Sequence, residues 1–526
     1  MKKLHSIIWL LVLVLSTFTS CRKTLQVAPE DGFGDRNFWQ NEAQVSNFMV
    51  GLHKQFRDNN YMFIRLGEMR GGGYSNVDVQ NTSLNELNII EQRIEENSSG
   101  VSNWAGFYNP ILQLNLFILR VKAIEFLPAE KKSYLLGQAH AMRSYYYFHL
   151  LRTYGGVPIW LEPEVLTGNT NQEALRRARS TEAEVLAVIK NDINTSLEFF
   201  GSSASLDKYQ WNPHAARMLK GEIYLWSAKL GGTTADLAEA KNSLLAVTDY
   251  SLQPNFKDVF AYGKKRNNEI IFALPYRVGE AELPNVAAYT YSTFNFDGQH
   301  YKDSTVSAGV GNFLVDPLVI AQTNSQQIIQ RYRYTFELFQ SYDLTDQRRN
   351  ATFYDYYKVN TSTSPYTVTV RNTALVKFIG TIDANKRYFA DDWPVYREAD
   401  RLLMLAEIAN AEGADPTSFI QAVRDRAFGG AGNDPTPFVN GNKDQNELAI
   451  FAERSKEFVY EGKQWYDLRR MMVGSEALVF KSSQHPYGVL DKASIGYKTL
   501  WPIPPSIWTN DPLVDQTPGY QTAKPK

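Results

Sequence analysis

The run AERSKEFVYEGKQWYDLRRMM, Ala452 to Met472, decides how the chain is read. It carries carboxylates at Glu453, Glu457, Glu461 and Asp467, guanidiniums at Arg454, Arg469 and Arg470, and the aromatic pair Trp465 and Tyr466. Such a mixture resembles an active site, but its spacing argues for scaffold. Glu453, Glu457 and Glu461 recur every four residues and share one helix face, as neighbours and not as groups opposed across a substrate. Arg454, Lys456 and Arg469 are close enough in the chain to neutralise them, and Gly462 supplies a stop. The run therefore reads as a charge-paired helix end.

Working outward, the preceding segment PVYREADRLLMLAEIANAEG reads as a helix from Pro394 to Gly413. Ala399, Leu402, Leu403 and Ala406 lie on one face of it. DPTSFIQAVRDRAFGG follows, with Asp415 as cap and Pro416 behind it. Upstream, a helix is predicted near Asn41–Arg57, and 61–102 reads as loop around RGGGYSNVDVQN. Residues 103–250 read as successive helices. SYLLGQAHAMRSYYYFHLLRTYGG places Ala139, Met142, Tyr146 and Leu150 at helical spacing and ends at Gly155–Gly156. Ser180 or Thr181 with Glu184 forms a capping box, and Asn212 with Pro213 opens the next helix. The hairpin sizes and small-residue contacts are those of tetratricopeptide-like units, without a strict repeat period. From 250 to 392 the pattern changes to short strands, NEIIFALPY and SPYTVTVRN, and long polar-aromatic loops.

The bulk properties exclude several classes. A net charge of -1 argues against a nucleic-acid binder, which needs a basic surface. Aromatics make 13% of the 526 residues, more than packing alone requires, so some can line a ligand surface. No P-loop, nucleophile elbow or His-Glu-x-x-His pair occurs. No metal and no cofactor is expected. His140 and His149 lie in a tyrosine-rich helix and read as packed side chains. A hydrolase using two carboxylates that converge only in space stays open.

Residues 1–20 read as a signal peptide: Lys2 and Lys3 precede the apolar run Ile7–Leu15, too short to span a bilayer. The small residues of STFTS lead into Cys21, the single cysteine, at the position of a lipidated lipoprotein cysteine. A soluble body tethered to a membrane through Cys21 is expected.

Five segments, in order, resemble the SusD/RagB family of outer-membrane nutrient-uptake lipoproteins of the Bacteroidetes. They are NWAGFYNPILQLN, AMRSYYYFHLLRTYGGVPI, YREADRLLMLAEIANAEG with AVRDRA, ERSKEFVYEGKQWYDLRR, and LWPIPPSIWTNDPLVDQTPGY. The resemblance implies a mostly α fold over 21–526. Its N-terminal helical part, about 21–250, carries tetratricopeptide-like hairpins; about 251–526 holds a loop-rich insertion and the C-terminal SusD/RagB part. It implies a binding protein and not an enzyme. It implies a glycan ligand, a SusC-like TonB-dependent transporter as partner, and an outer-membrane location facing the cell exterior. The basic start RKTLQVAPED after Cys21 departs from the acidic residues common at that point in exported members.

Ligand residues do not carry over by motif within that family, so they are chosen by chemistry. Sugars need flat aromatic faces and short polar groups. RGGGYSNVDVQN offers Arg70, Tyr74, Asn76 and Asp78; AAYTYSTFNFDGQHY offers Tyr289, Tyr291, Phe294, Phe296, Asp297 and Tyr301. The competing reading is that these rings plug the loops onto the helices. Peptide cargo, a lipid-anchored glycoside hydrolase and a pure assembly scaffold are the alternative functions.

Overall fold

In the computed structural model the described residues are 38–520, apart from 76–83, 102–103, 204, 291–299, 302–317, 319–329, 361, 365–366 and 509. Cys21 and the apolar leader lie outside them. The principal helices are α1 (Glu42–Asp58), α2 (Asn60–Glu68), α3 (Ala105–Ala123), α4 (Ala129–Tyr154), α5 (Glu182–Phe200), α6 (Pro213–Lys229) and α7 (Thr234–Leu245). After a strand-rich stretch come α8 (Glu398–Glu412), α9 (Thr417–Ala427), α10 (Lys443–Glu457) and α11 (Gln464–Arg470).

Local sequence sets most of these boundaries. The Asn41 side chain accepts the Gln44 N–H at the start of α1. Thr181 and Glu184 complete a reciprocal capping box on α5, and Asn212 caps α6 with Pro213 in its first turn. Gly413 ends α8 in the left-handed conformation at φ 75°. Among the described residues, no helix is long and apolar enough to cross a membrane.

The helices pack as hairpins: α3 on α4, α4 on α5, α6 on α7, and α8 on α9 and α10. From Leu135 to Tyr154, α4 is buried on every side, which makes it the central helix of the N-terminal set. Two features hold it to α5. Gly137 lies against the Phe200 ring so closely that a Cβ would stand 2.9 Å from it. Asp192 accepts bonds of 2.8 and 2.7 Å from Arg143 and 2.8 Å from His140. His149 is likewise packed, 4.8 Å from the Phe63 ring, and burial drives its pKa well below the usual value. Contacts of α8 with α6 and α7 join the two helical blocks.

The strands are short: β1 (Tyr74–Ser75), β2 (Ile270–Leu274), β3 (His300–Tyr301), β4 (Arg333–Tyr334), β5 (Phe353–Asn360), β6 (Thr367–Leu375), β7 (Thr381–Asp383), β8 (Lys386–Tyr388) and β9 (Trp393–Arg397). Of these, β5 and β6 form a hairpin that β3 extends, and β1 pairs with β4. Antiparallel β2 and β9 are buried throughout, with Leu274 opposite Trp393.

Three sequence expectations are corrected. Residues 393–397 are strand and not the first turn of a helix, because β2 takes their backbone; α8 begins at Glu398. The stretch 61–102 is not all loop: it contains most of α2 and a further helix, Leu84–Ile90. The helix of the opening run stops at Glu457, one turn early, and a turn with Tyr460 at φ 64° and Gly462 at φ 70° follows.

That early stop moves Glu461 off the helix face, and the acids find cations elsewhere. Glu457 is fully buried and bonds Arg397 at 2.6 Å, Arg348 at 3.0 Å, and Arg426. Glu461 is gripped by Arg397 at 2.9 and 2.7 Å and by Lys377 at 2.5 Å. Glu269, from the start of β2, takes Arg397 at 2.8 Å and Arg426 at 2.9 Å. Glu453 takes Arg348 at 2.5 Å and Arg424 at 3.1 Å. Arg454 serves Asp467 and Asp400, and Arg470 serves Glu407 and Asp467. The partners of Glu457 are thus not the neighbouring Arg454, Lys456 and Arg469, but residues 31 to 109 positions away. These guanidiniums hold the Glu457 carboxyl far below the usual carboxylate range, although burial alone would raise it.

Glu457→Gln keeps the side-chain shape but leaves three guanidiniums sharing less charge. We expect a loss of about 3–5 kcal/mol in urea unfolding, with ligand affinity per folded molecule unchanged. A loss of affinity without a loss of stability would relocate the site to this network.

Candidate functional site

The two segments chosen for sugar chemistry emerge from one place. The pairing of β1 with β4 sets Tyr74 opposite Tyr334 and Ser75 opposite Arg333. Residues 286–289 form a 3-10 turn whose Ala288 carbonyl accepts the Arg331 and Tyr332 N–H groups at 2.9 and 3.1 Å. So Ser75, the 286–290 turn and Gln330 lie within one patch.

A tyrosine floor underlies that patch. The Tyr289 ring lies 4.7 Å from Tyr460, 4.9 Å from Tyr332 and 6.0 Å from Tyr74. The Tyr74 and Tyr334 rings are 4.6 Å apart, and Phe353 of β5 closes the cluster 5.5 Å from Tyr334. Edge-on and tilted pairs of this kind favour a fixed arrangement. The hydroxyls form a chain. The Tyr334 hydroxyl bonds Glu68 at 2.5 Å and shares a hydrogen bond of 2.9 Å with the Tyr74 hydroxyl. Glu68 also accepts the Tyr460 N–H at 2.7 Å and the Gly462 N–H at 2.8 Å. One carboxylate at the end of α2 therefore ties the loop roots to the turn that follows α10. The approach is close: a Cβ on Gly67 would sit 1.8 Å from the Gly462 carbonyl oxygen. Burial lifts the Glu68 pKa to about 7, against the opposing pull of its three donors.

Around the floor the polar contacts are equally committed. Arg333 reaches Asn372 and Ser75, and Gln330 bridges the Thr373 carbonyl and the Tyr356 hydroxyl at 2.8 and 2.6 Å. On the opposite side Arg65 pairs with Glu86 at 3.3 Å and lies over the Tyr61 ring.

This geometry corrects three expected ligand contacts. Tyr74 and Tyr289 are buried as floor, 6% and 1% exposed. Arg70 points into the core, its guanidinium 4.0 Å from the Trp465 ring and 5.2 Å from Trp501, with Nε on Gln92 at 2.8 Å. Burial brings its pKa down to about 9. For these three, the reading of rings and charge as plugs for the loops is the right one. Tyr301 belongs to β3, opposite Tyr357. Asn76, Asp78, Tyr291, Phe294, Phe296 and Asp297 lie outside the described residues.

Sequence reading missed Glu68, Tyr332 and Tyr334. The alternation RYRYTF at 331–336 was the available signal for a strand with tyrosines on one side. For Glu68 no local signal exists, since its donors lie 266 to 394 positions away. No group of three His, Cys, Asp or Glu side chains that could hold a metal ion occurs among the described residues.

With this architecture in hand, comparison with known proteins identifies the class. Residues 268–520 match the SusD family, and residues 25–225 match a family described as starch-binding associating with outer membrane. A SusD superfamily protein from Bacteroides fragilis is 34% identical and superposes with a TM-score of 0.82, over 92% of this chain and all of that one. The SusD-like protein P38 of Formosa agariphila is 25% identical over 88% of this chain and 91% of its own length. A laminarin-binding SusD-like protein, 20% identical, shares the fold at a TM-score of 0.63 over 91% of this chain and all of its own. The chain belongs to the SusD superfamily, as its five motifs suggested.

The Glu68 carboxyl gives the floor a pH signature. Folded, it keeps its proton up to about pH 7; unfolded, it releases it near 4.5. Its stabilising contribution is therefore complete below pH 4.5 and is lost as pH rises through 7, by about 3 kcal/mol. Asp391, buried and also raised to about 7, acts in the same direction. Urea unfolding between pH 4.5 and 8 should show a fall in stability that is shallower in Glu68→Gln. An equal slope in the two proteins would refute this role.

Proposed function

We propose that the protein binds an oligosaccharide or polysaccharide over the tyrosine floor and passes it to a SusC-like TonB-dependent transporter in the outer membrane. The observation that carries this reading is the common origin of the two candidate segments. Residues 76–78 and 291–301 each offer sugar-binding chemistry, and the residues that precede them meet at β1, β4 and the 286–289 turn. Long loops on a rigid base are the usual place for binding residues. The SusD fold and the outer-membrane association named for the N-terminal family match support the reading, as does the laminarin-binding neighbour.

Asn76, Asp78, Tyr291, Phe294, Phe296, Asp297 and Tyr301 are the proposed contacts, with the tyrosines and phenylalanines as stacking faces. The mature chain is proposed to start at Cys21, carry lipid there, and face the cell exterior. The proposed domain division is a helical N-terminal part, about 21–250, and a loop-rich C-terminal part, about 251–526.

Binding without turnover is the favoured chemistry. Burial raises Glu68 and Asp391 toward the value that suits a general acid, but both are enclosed: Glu68 is spent on three donors, and Asp391 accepts the Gly380 N–H at 2.7 Å. The acids of the opening run are held by buried guanidiniums.

Calorimetric titration of the mature chain against a glycan panel tests the assignment. At least one glycan should bind and be recovered intact; released reducing ends would favour a hydrolase, and a peptide as the one binding species would favour peptide cargo. Tyr291→Ala and Phe296→Ala should each weaken binding about tenfold with little change in Tm. Tyr289→Ala should instead lower Tm, because it opens a hole in the floor. If Tyr291→Ala and Phe296→Ala leave affinity intact, the ligand lies elsewhere.

A further inference from the structure

A second cleft, of about 550 Å³, lies between the 340–349 segment, the 424–436 segment and the end of α10. Its size is that of a small-ligand site. Lys456 and Arg349 line it together with Thr436, Ser341 and Phe428.

The charges there are unusual for this protein. Arg348 and Arg424, beside the cleft, are satisfied by Asp346, Glu453, Glu457 and Asp434. Lys456 stands one residue before Glu457, yet its ammonium has no ion pair and no hydrogen bond among the described residues. It is half-buried, and desolvation lowers its pKa from the usual lysine value. Arg349 rests its guanidinium 4.1 Å over the Phe339 ring, and its Nε is shielded from solvent without a hydrogen-bond partner. A partly desolvated cation with unused donors gains most from an anion placed between such groups.

Of the two acids lining the cleft, Asp346 is paired with a cation and Asp343 is hydrogen-bonded to Thr345. Asp346 is bound to Arg348 by three contacts of 2.8 to 3.3 Å. Asp343 sits exposed at the rim and accepts the Thr345 N–H at 2.8 Å and its hydroxyl at 2.7 Å.

We propose that this cleft is a second saccharide site, selective for a sugar bearing a carboxylate or sulfate, which Lys456 and Arg349 hold. It is built from elements other than the tyrosine floor, so it stands or falls separately from the loop-face reading.

The test is calorimetric titration of the mature chain at low ionic strength. The probes are digalacturonate, a sulfated chondroitin disaccharide, and a neutral galactose disaccharide. The acidic probes should bind at least tenfold more tightly than the neutral one, and the better of the two identifies the anion. Lys456→Met and Arg349→Met should each weaken the acidic probe about tenfold while Tm holds, whereas Phe296→Ala should leave it unchanged. Binding lost in Phe296→Ala but kept in Lys456→Met would put the acidic sugar on the loop face and overturn the proposal. Equal affinity for neutral and acidic probes, or no binding of either acidic probe, would overturn it also. So would a glutamate-rich peptide binding in their place.

Discussion

Glu457 is the point on which the architecture depends. Its carboxylate, out of water at the end of α10, is shared by guanidiniums from the helix before β5, from β9 and from α9. An isolated carboxylate there would cost far more than a fold of this size can spare. The guanidiniums would be as costly without the acid. Each makes the others tolerable, so these elements must come together at once. Arg397 binds Glu269, Glu457 and Glu461 simultaneously, which fixes β9 against β2 and the turn after α10. A network of this kind contributes more to a single arrangement of elements than to net stability.

From that hub the order passes outward to the tyrosine floor. The turn at 460–462 is locked by the network on one side. On the other it donates two backbone N–H groups to Glu68. Glu68 in turn holds Tyr334, and Tyr334 shares a hydrogen bond with Tyr74. Scaffold and tyrosine floor are therefore one hydrogen-bonded system.

Legibility from sequence followed contact range. Caps, stops and amphipathic faces are local: Thr181 with Glu184, and Asn212 with Pro213, act where they were read. The errors arose where a distant strand or charge intervened. Pro394 looked like a helix start, but β2 claims its neighbours' backbone. Glu461 looked like a third rung on a helix face, but Arg397 and Lys377 take it after the helix has ended. Tyr74 and Tyr289 have the composition of a sugar platform, and composition does not reveal that Tyr332, Tyr334 and Tyr460 converge on them.

By itself, then, the sequence determined the helical hairpins, the family and the scaffold role of the run from Ala452 to Met472. These follow from spacing within a few residues and from motifs in order along the chain. Only the tertiary structure decided which cation answers each acid, which tyrosines form floor, and that Ser75 and the 286–290 turn lie in one patch. Those outcomes depend on which groups lose water together. That is fixed when segments hundreds of residues apart close on one another, as Glu68 and Gly462 do across 394 positions.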